Sequence, residues 1–151
     1  MGIAFCAQHK SACPLVTGAE FMKQGVRSMP ILPANDLAAS VAFYTDKLGF
    51  DLAGQWQNDD GTPTFAIAQL GDVTLGLSAL DRSGSGDDWA AYVYIEDIDA
   101  FTDQVLGRGV KLDRGPEDSF YHCREVEVVD PNGNRLCFAQ DLKPGVDGPG
   151  L

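Results

Sequence analysis

The sequence contains no apolar run that approaches the roughly 20 residues of a membrane-spanning helix. Its first residues also lack the basic segment and the following apolar stretch that are typical of a secretory signal. We therefore expect a cytoplasmic protein that does not associate with membranes.

Basic residues are few, because 11 Lys and Arg stand against 22 Asp and Glu and give a formal net charge of -11. An acidic field of this size repels phosphate backbones and anionic lipids and attracts cations. Nucleic acid is therefore not an expected partner. A large cationic small molecule is favoured, although a high net charge also keeps proteins soluble without any partner.

Histidine and cysteine, which form most zinc sites, are also few, with two His and four Cys in the chain. A chain of this size can fold without disulfides, so we expect reduced thiols at Cys6, Cys13, Cys123 and Cys137. Cys6, His9 and Cys13 have a loosely metal-like spacing. Structural zinc normally needs four ligands, however, and we expect no metal there.

Hydrophobic residues make up 44% of the 151 residues, which suits one domain of ordinary size. Residues 1–27 show no sustained hydrophobic period and are interpreted as an N-terminal arm. Regular patterning extends over residues 28–142, the expected domain, and residues 143–151 are interpreted as a C-terminal tail.

The first half of this domain, residues 28–80, has the pattern of a strand, a helix and three more strands. Asn35 and Asp36 suit the start of the helix and Gly49 its end, because short polar side chains cap helix N-termini and glycine often terminates helices. The predicted strands cover residues 29–33, 50–56, 64–70 and 73–80.

The second half, residues 89–142, repeats this order after a Ser- and Gly-rich linker at residues 81–88. Asp97 suits the start of its helix, which is predicted to end near Gly107 to Gly109. Its predicted strands cover residues 90–95, 110–114, 122–129 and 135–140. Three pairs of landmarks lie about 60 residues apart and indicate an internal repeat: Asp36 and Asp97, Gly49 and Gly109, and Gly71 and Gly133.

The repeat predicts an α+β fold made of two tandem βαβββ modules, residues 28–80 and 89–142. A four-stranded sheet that buries one face against its helix leaves the other face open. Two such curved sheets can enclose a concave, partly apolar cleft, which is a usual site for a small molecule.

Several short motifs in fixed order resemble those of one family. They are Phe-Tyr at 43–44, Leu-Gly-Phe at 48–50, Val-Thr-Leu at 73–75 and Asp-Pro-Asn-Gly-Asn at 130–134. With the repeat, they make residues 28–142 similar to the vicinal oxygen chelate superfamily, which includes glyoxalases, extradiol dioxygenases, fosfomycin-modifying enzymes and bleomycin-resistance proteins. The resemblance implies the same paired modules and cleft.

Enzymes of this superfamily hold a divalent ion on ligands from four strands. The resemblance puts those positions at Met29, Gly76, Ala90 and Cys137, three of which cannot ligate such an ion. Cys137 could bind zinc as a thiolate, but one ligand does not make a site. We therefore expect no metal, no cofactor and none of the metal-dependent chemistry of the family.

The resemblance instead favours the bleomycin-resistance branch, whose members are dimers that sequester a cationic glycopeptide antibiotic without modifying it. Met29 to Leu32 resembles the exchanged N-terminal strand of that branch, Val73 to Leu75 with Ser78 its fourth strand, and Arg124-Glu125 its seventh. The chain is thus predicted to be a homodimer that binds a cationic or aromatic small molecule and lacks catalytic residues.

Eight residues are predicted to contact the ligand: Trp56, Asp59, Asp60, Phe65, Ser78, Tyr92, His122 and Arg124. The resemblance implies the pocket positions of the three aromatic residues and of His122. Aromatic rings can stack on a planar ligand, and carboxylates can attract a cationic tail. Phe65 and Tyr92 also suit a core, and Asp59-Asp60 before Gly61 also suits a turn. If residues 122–129 form one strand, Arg124 shares a face with His122, and Glu125 and Glu127 share the other face with Cys123.

Two alternatives remain open. One is an enzyme of the lyase, isomerase or dioxygenase type that holds a divalent ion on shifted ligands, for instance His122, Glu127 and Cys137. The other is a stress or regulatory protein that binds an endogenous metabolite. Metal analysis of purified protein distinguishes the first alternative from a metal-free binding protein.

Overall fold

The computed structural model describes residues 25–145, which form two four-stranded sheets, each packed against one helical segment. The expected arm and tail lie mostly outside these residues, as do Cys6, His9 and Cys13. The architecture confirms the predicted α+β fold of two βαβββ modules. None of the helices within residues 25–145 has the length and apolar character needed to cross a membrane.

The first module contains four strands and one helical segment. Its strands are β1 (Ile31–Pro33), β2 (Asp51–Gln57), β3 (Pro63–Leu70) and β4 (Val73–Ser78), and its helix is α1 (Leu37–Ala42), continued by a π-helical turn at Phe43–Lys47. The strands lie in the order β1-β4-β3-β2, with β1 parallel to β4 and the other pairs antiparallel.

The second module repeats this arrangement. Its strands are β5 (Trp89–Tyr94), β6 (Arg114–Asp118), β7 (Cys123–Val129) and β8 (Arg135–Asp141), and its helix is α2 (Ile98–Gly107). The strand order β5-β8-β7-β6, with β5 parallel to β8, matches that of the first module.

Equivalent aspartates begin the two helices, as the sequence predicts. The Asp36 carboxylate accepts a hydrogen bond from the Ala39 backbone N–H at 3.0 Å, and that of Asp97 accepts one from the Ala100 N–H at 2.9 Å. Each bond satisfies a backbone donor that has no partner within the helix.

One face of each sheet is buried against its helix. Ala66, Ala68, Leu75 and Leu77 are buried on the first sheet, and Val126, Val128, Leu136 and Phe138 on the second. Because successive strand residues point to opposite faces, the residues between them lie on the other face. We call this second face of each sheet its open face.

The loop between β7 and β8 joins the two modules. The Asp130 carboxylate accepts hydrogen bonds from the backbone N–H groups of Asn132 (2.8 Å) and Asn134 (2.9 Å), from Asn134 Nδ2 (2.6 Å) and from the Tyr44 hydroxyl (2.9 Å). Asn134 Nδ2 also donates to the backbone carbonyl of Pro33 at 2.9 Å. The motif at 130–134 thus holds the first module against the second.

The linker at residues 81–88 contains no strand or helix and packs on the same loop. The Gly84 N–H donates to the carbonyl of Asn132 at 2.9 Å, and Ser85 Oγ accepts from the Arg135 N–H at 2.8 Å. A Cβ atom at Gly84 would lie only 2.2 Å from the carbonyl carbon of Gly133. Only glycine therefore fits where the linker crosses the loop.

Two predictions for the second module were wrong. The third of its predicted elements, a strand at residues 110–114, is displaced toward the C-terminus, because Val110 packs into the core after α2 and Arg114 begins the pairing with β7. His122 does not start β7, since its φ of 63° belongs to the left-handed region and places it in a turn. Several strand boundaries also differ by one or two residues; for example, β1 is shorter than predicted, and β5 begins at Trp89.

Candidate ligand-binding site

Four aromatic side chains line an open depression of about 620 Å³ on the second module: Trp89, Tyr92, Tyr94 and Tyr121. Tyr92 and Tyr94 alternate along β5 and so share its open face. A β-bulge between Trp89 and Ala91 brings Trp89 to the same face, although it lies three residues from Tyr92. The ring centroids of Trp89 and Tyr94 each lie 5.2 Å from that of Tyr92.

Glu125 on β7 lies beneath two of these rings and is 1% exposed. Its Oε1 atom accepts hydrogen bonds from the hydroxyls of Tyr92 (2.8 Å) and Tyr121 (2.5 Å). Its Oε2 atom lies 3.2 Å from Nη2 of Arg114. One carboxylate thus joins two rings that come from different parts of the chain.

Glu127, two residues further along β7, holds the third ring. Its Oε1 atom accepts from the Trp89 indole N–H at 2.8 Å and from Nη2 of Arg114 at 2.7 Å, and its Oε2 atom accepts from Arg135 at 2.8 Å. Burial alone would raise the pKa of Glu127, but the hydrogen bonds from Arg114, Trp89 and Arg135 lower it below the ordinary value. The carboxylate is therefore ionised at neutral pH.

The two tyrosine hydroxyls remain neutral donors over the physiological range. Burial, together with the hydrogen bond to Glu125, raises the pKa of Tyr121 to about 12. The same two causes raise the pKa of Tyr92 well above its ordinary value. Both phenols therefore donate to Glu125 and leave their ring surfaces toward the depression.

Most polar ring atoms of this site are engaged within the protein. The indole N–H of Trp89 and the hydroxyls of Tyr92 and Tyr121 all point to carboxylates. The surfaces left for a ligand are the ring faces, which attract planar groups by stacking and cations through their quadrupoles.

The open face of the first module carries a smaller aromatic pair. Trp56 and Phe65 occupy paired positions on β2 and β3, with ring centroids 5.9 Å apart. Phe65 is also opposite Ser78 on β4. At Gly76 a Cβ atom would lie 2.5 Å from Ile31 Cδ1 and 2.9 Å from Phe65 Cζ, so the glycine leaves the space in which these two side chains pack.

A cavity of about 510 Å³ lies between the modules. Gln69 and Thr74 of the first sheet line one side of it, and Ala91 and Tyr92 of β5 line the other. Tyr92 therefore borders both this cavity and the aromatic depression. Through Tyr92, the depression on the second module is continuous with the cavity that the first module lines.

The structure divides the eight residues predicted to bind the ligand. Trp56, Phe65 and Ser78 lie on the first sheet, and Tyr92 lies on the second. Asp59 and Asp60 lie in the turn between β2 and β3, where the Thr62 N–H donates to Asp60 at 2.9 Å and lowers its pKa.

His122 and Arg124 are separate from the aromatic depression. His122 lies in the turn before β7. Arg124 is on the opposite face of β7 from Glu125 and contacts Asp118 (2.7 Å) and Asp99 of α2 (3.1 Å). The expectation that Arg124 lies in the cleft is therefore corrected, because its guanidinium is engaged on the helix side.

Sequence reasoning missed Trp89, Tyr94, Tyr121 and the group of Glu125, Glu127 and Arg114. Trp89 lies at the boundary of linker and strand, and only a bulge turns it toward Tyr92. The spacing of Glu125 and Glu127 did predict correctly that they share one face with Cys123. The signal that could have found the site is this pair of carboxylates opposite a strand rich in aromatic residues.

The four positions where the resemblance implies metal ligands do not fit a divalent ion. Met29 offers only a thioether, and Gly76 and Ala90 have no donor in a side chain. Cys137 is buried, and burial raises the pKa of its thiol to about 12, so the metal-binding thiolate is disfavoured. Within residues 25–145, no three or more His, Cys, Asp or Glu side chains are grouped in a way that could hold a metal ion.

The shifted ligand set is not brought together either. Glu127 and Cys137 are neighbours on adjacent strands, but His122 lies before the start of β7. The segment from Cys123 to Glu127 alone spans about 13 Å at a rise of about 3.3 Å per residue. The three side chains therefore cannot share one ion in this arrangement.

The paired modules and the open cleft faces define a class of proteins with glyoxalase-like folds. Residues 27–138 match the family model of the Glyoxalase/Bleomycin resistance protein/Dioxygenase superfamily, and the chain belongs to this family. Among its relatives are bleomycin resistance proteins from Geobacillus stearothermophilus and Staphylococcus aureus, each 29% identical over 136 residues that cover 78% of this chain and 98% of the relative.

Solved structures show the same fold. The bleomycin resistance determinant encoded on transposon Tn5 is 23% identical, with a TM-score of 0.64 over 78% of this chain and 98% of that chain. TnmS3, an antibiotic binding protein from Streptomyces sp. CB03234, is 24% identical, with a TM-score of 0.66 over 80% of this chain and 99% of that chain.

Proposed function

We propose that this protein is a metal-free binding protein of the bleomycin-resistance type, which sequesters a cationic or aromatic small molecule, such as a bleomycin-family antibiotic. The aromatic depression formed by Trp89, Tyr92, Tyr94 and Tyr121 is the observation that carries the proposal. Its ring faces suit stacking, and the net charge of -11 attracts cations. The curated relatives named as bleomycin resistance proteins support the same role.

The ligand is proposed to lie in a cleft completed by a second copy of the chain. Large hydrophobic side chains on the open faces are exposed: Ile31 by 43%, Trp56 by 52%, Trp89 by 44% and Tyr94 by 38%. A contiguous patch of large exposed apolar side chains commonly marks a surface that a partner or a ligand covers. In a homodimer, the short edge strand β1 is the element that we expect to be exchanged.

In this cleft, Tyr92 supplies the stacking surface at the centre, and Trp56 and Phe65 supply a second one with Ser78 at its edge. Asp59 and Asp60 are proposed to attract a cationic tail of the ligand, and His122 to approach it from the β6–β7 turn. The site acts in the cytoplasm by holding its ligand, without forming or breaking a covalent bond.

Calorimetric titration with bleomycin, together with a DNA-cleavage protection assay, tests this function. We expect saturable binding that Tyr92→Ala abolishes or weakens strongly, because the central stacking surface is lost. Leu106→Ala, which changes an exposed apolar residue of α2, serves as the control and leaves binding unchanged. An absence of heat and of DNA protection would exclude bleomycin as the ligand.

Metal analysis of protein purified without chelators tests the metal-free part of the proposal. We expect far less than one divalent ion per chain, because the four positions that usually bind the metal lack suitable donors. One tightly bound ion per subunit, lost together with turnover of a substrate, would instead support the enzyme with shifted ligands.

A further inference from the structure

We infer that Glu125 and Glu127, bridged by Arg114, are positioning residues that fix the orientation of the binding rings before any ligand arrives. This inference rests on the proposed role of the aromatic depression as the ligand site. It adds that the ligand-contacting surface depends on three residues that need not touch the ligand at all.

The rings and the carboxylates meet from separate parts of the chain. Trp89 and Tyr92 come from β5 and Tyr121 from the β6–β7 turn, yet their polar atoms all reach two carboxylates on β7. These carboxylates are 1% and 6% exposed. A buried hydrogen bond of this kind is costly to leave unmade, so each ring is restricted to the orientation that keeps its bond.

The chemistry of position 125 requires an acceptor on both sides. The Glu125 carboxylate receives two phenol hydroxyls on one oxygen and Arg114 near the other. A glutamine offers one acceptor and one donor, so its NH₂ group would face either the phenols or the guanidinium of Arg114. Glu125→Gln therefore loosens at least one of these contacts while it preserves the volume of the side chain.

Arg114 contacts both carboxylates, and its positive charge reduces the repulsion between them. Its Nη2 atom lies 3.2 Å from Glu125 and 2.7 Å from Glu127, which share one face of β7. Glu127 has a second cation in Arg135 at 2.8 Å, whereas Arg114 is the only arginine or lysine found in ion-pair contact with Glu125 in residues 25–145. Loss of Arg114 is thus expected to release Tyr92 and Tyr121, with less effect on Trp89.

Ring orientation is measured first in the protein without ligand. The chain has four tyrosines, so fluorotyrosine labelling gives one ¹⁹F resonance for each, assigned by Tyr→Phe variants. We expect Glu125→Gln to shift or broaden the Tyr92 and Tyr121 resonances and to leave that of Tyr44 unchanged. Glu117→Gln is the matched control, because Glu117 also contacts Arg114 but has no bond to a ring.

The third ring is followed by fluorescence. The chain has two tryptophans, so Trp89 is the only one in a Trp56→Phe background. We expect Glu127→Ala to make Trp89 more accessible to acrylamide quenching. Arg114→Met should change this quenching less than Glu127→Ala does, while it alters the two tyrosine resonances. Unchanged resonances and quenching in the Glu125 and Glu127 variants would overturn the inference.

The effect on binding is measured with bleomycin as the probe. We expect Glu125→Gln to weaken binding about tenfold, because two side chains must then be ordered on association. The same substitution in a Tyr92→Phe/Tyr121→Phe background should have no further effect, since the bonds it acts through are already absent. Equal losses in both backgrounds would show that Glu125 acts independently of the rings and would contradict its positioning role.

The two proposals can fail separately. If the unmodified protein does not bind bleomycin, the named ligand is excluded, and the resonance and quenching measurements still decide whether the carboxylates position the rings. If Glu125→Gln does not fold, the Tyr92→Phe/Tyr121→Phe variant removes the same bonds from the other side. Weaker bleomycin binding by this variant is then the expected result, and unchanged binding would contradict the inference.

Discussion

The open faces of the two modules share a strand order but hold their aromatic residues differently. In the first module, Trp56 packs ring to ring on Phe65, which fills the space beside Gly76, and no buried carboxylate is found on either ring in residues 25–145. In the second module, Tyr92 is bonded to a buried carboxylate. Ring packing is weakly directional, whereas a hydrogen bond to a buried charge is strongly so. One face can therefore adapt to a ligand while the other is preorganised.

The comparison also shows what a structural repeat preserves. Asp36 and Asp97 begin equivalent helices, and the order and direction of the strands are the same in both sheets. The open faces, which no helix covers, are free to differ in chemistry. Position 76 on β4 is a glycine, while Cys137 on the equivalent strand β8 is a buried thiol.

The largest expected effect on stability comes from weakening the junction between the two modules. Asp130→Ala removes the acceptor of four hydrogen bonds at the junction of the modules, and we expect the free energy of unfolding to fall by about 3–4 kcal/mol. Urea denaturation measures it. Tyr44→Phe, which removes one of these bonds, should cost about 1 kcal/mol. An equal loss in both variants would contradict this prediction, because it would show that the bond to Tyr44 accounts for the whole contribution of Asp130.

Removing the cation of the second face should have the next largest effect. Arg114→Met leaves Glu125 buried without its arginine, and we expect a loss of about 1–3 kcal/mol, less than for a fully buried pair because the Arg114 side chain is 40% exposed. Arg124→Met is the matched control, whose exposed ion pairs should contribute little. Thermal denaturation of both variants measures the difference, and equal stability losses would contradict it.

Filling the space on the first face should have a smaller effect. Gly76→Ala puts a Cβ against the flexible ends of Ile31 and Phe65, and we expect a cost of about 1 kcal/mol and a displaced Phe65 ring. Emission of Trp56 in a Trp89→Phe background reports the displacement. The tyrosine resonances of the second module should stay unchanged, and a change in them would mean that the two faces are coupled.

The smallest expected effect on stability at neutral pH comes from the ionisation of Tyr121, on the open face of the second module. The pKa of Tyr121 is raised from 10.0 to about 12, so its contribution to stability is complete below pH 10 and is lost as the pH rises through about 12. Ultraviolet absorbance of the phenolate follows the titration. Glu125→Gln should lower this pKa, because it removes a neighbouring negative charge. An unchanged titration would show that burial alone sets the pKa.

The sequence predicted the framework well, because alternating apolar residues and capping aspartates report local structure directly. It also predicted that Glu125 and Glu127 share a face, which follows from the two-residue period of a strand. It failed where a single backbone feature redirects a side chain. The left-handed His122 and the bulge after Trp89 are two such features, and neither changes the hydrophobic pattern.

The contacts of the site were harder to predict than its strands. Arg114 bonds to carboxylates 11 and 13 residues away only because β6 begins at Arg114, and the predicted strand ended there. Arg124 was expected in the cleft because it would share a strand face with His122, but its partners Asp99 and Asp118 lie on the helix side of β7. Pairing across strands, rather than local propensity, decides which charged residues meet.

The crossing at Gly84 has a consequence for changing this protein. A linker of serine and glycine normally tolerates insertions and tags. Here, however, the linker packs on the β7–β8 loop so closely that position 84 has no room for even one methyl group. Any other residue at position 84 would push the linker away from the β7–β8 loop. Gly84 therefore decides how closely the linker can approach the β7–β8 loop, and redesign of the connection between the modules would begin at that position.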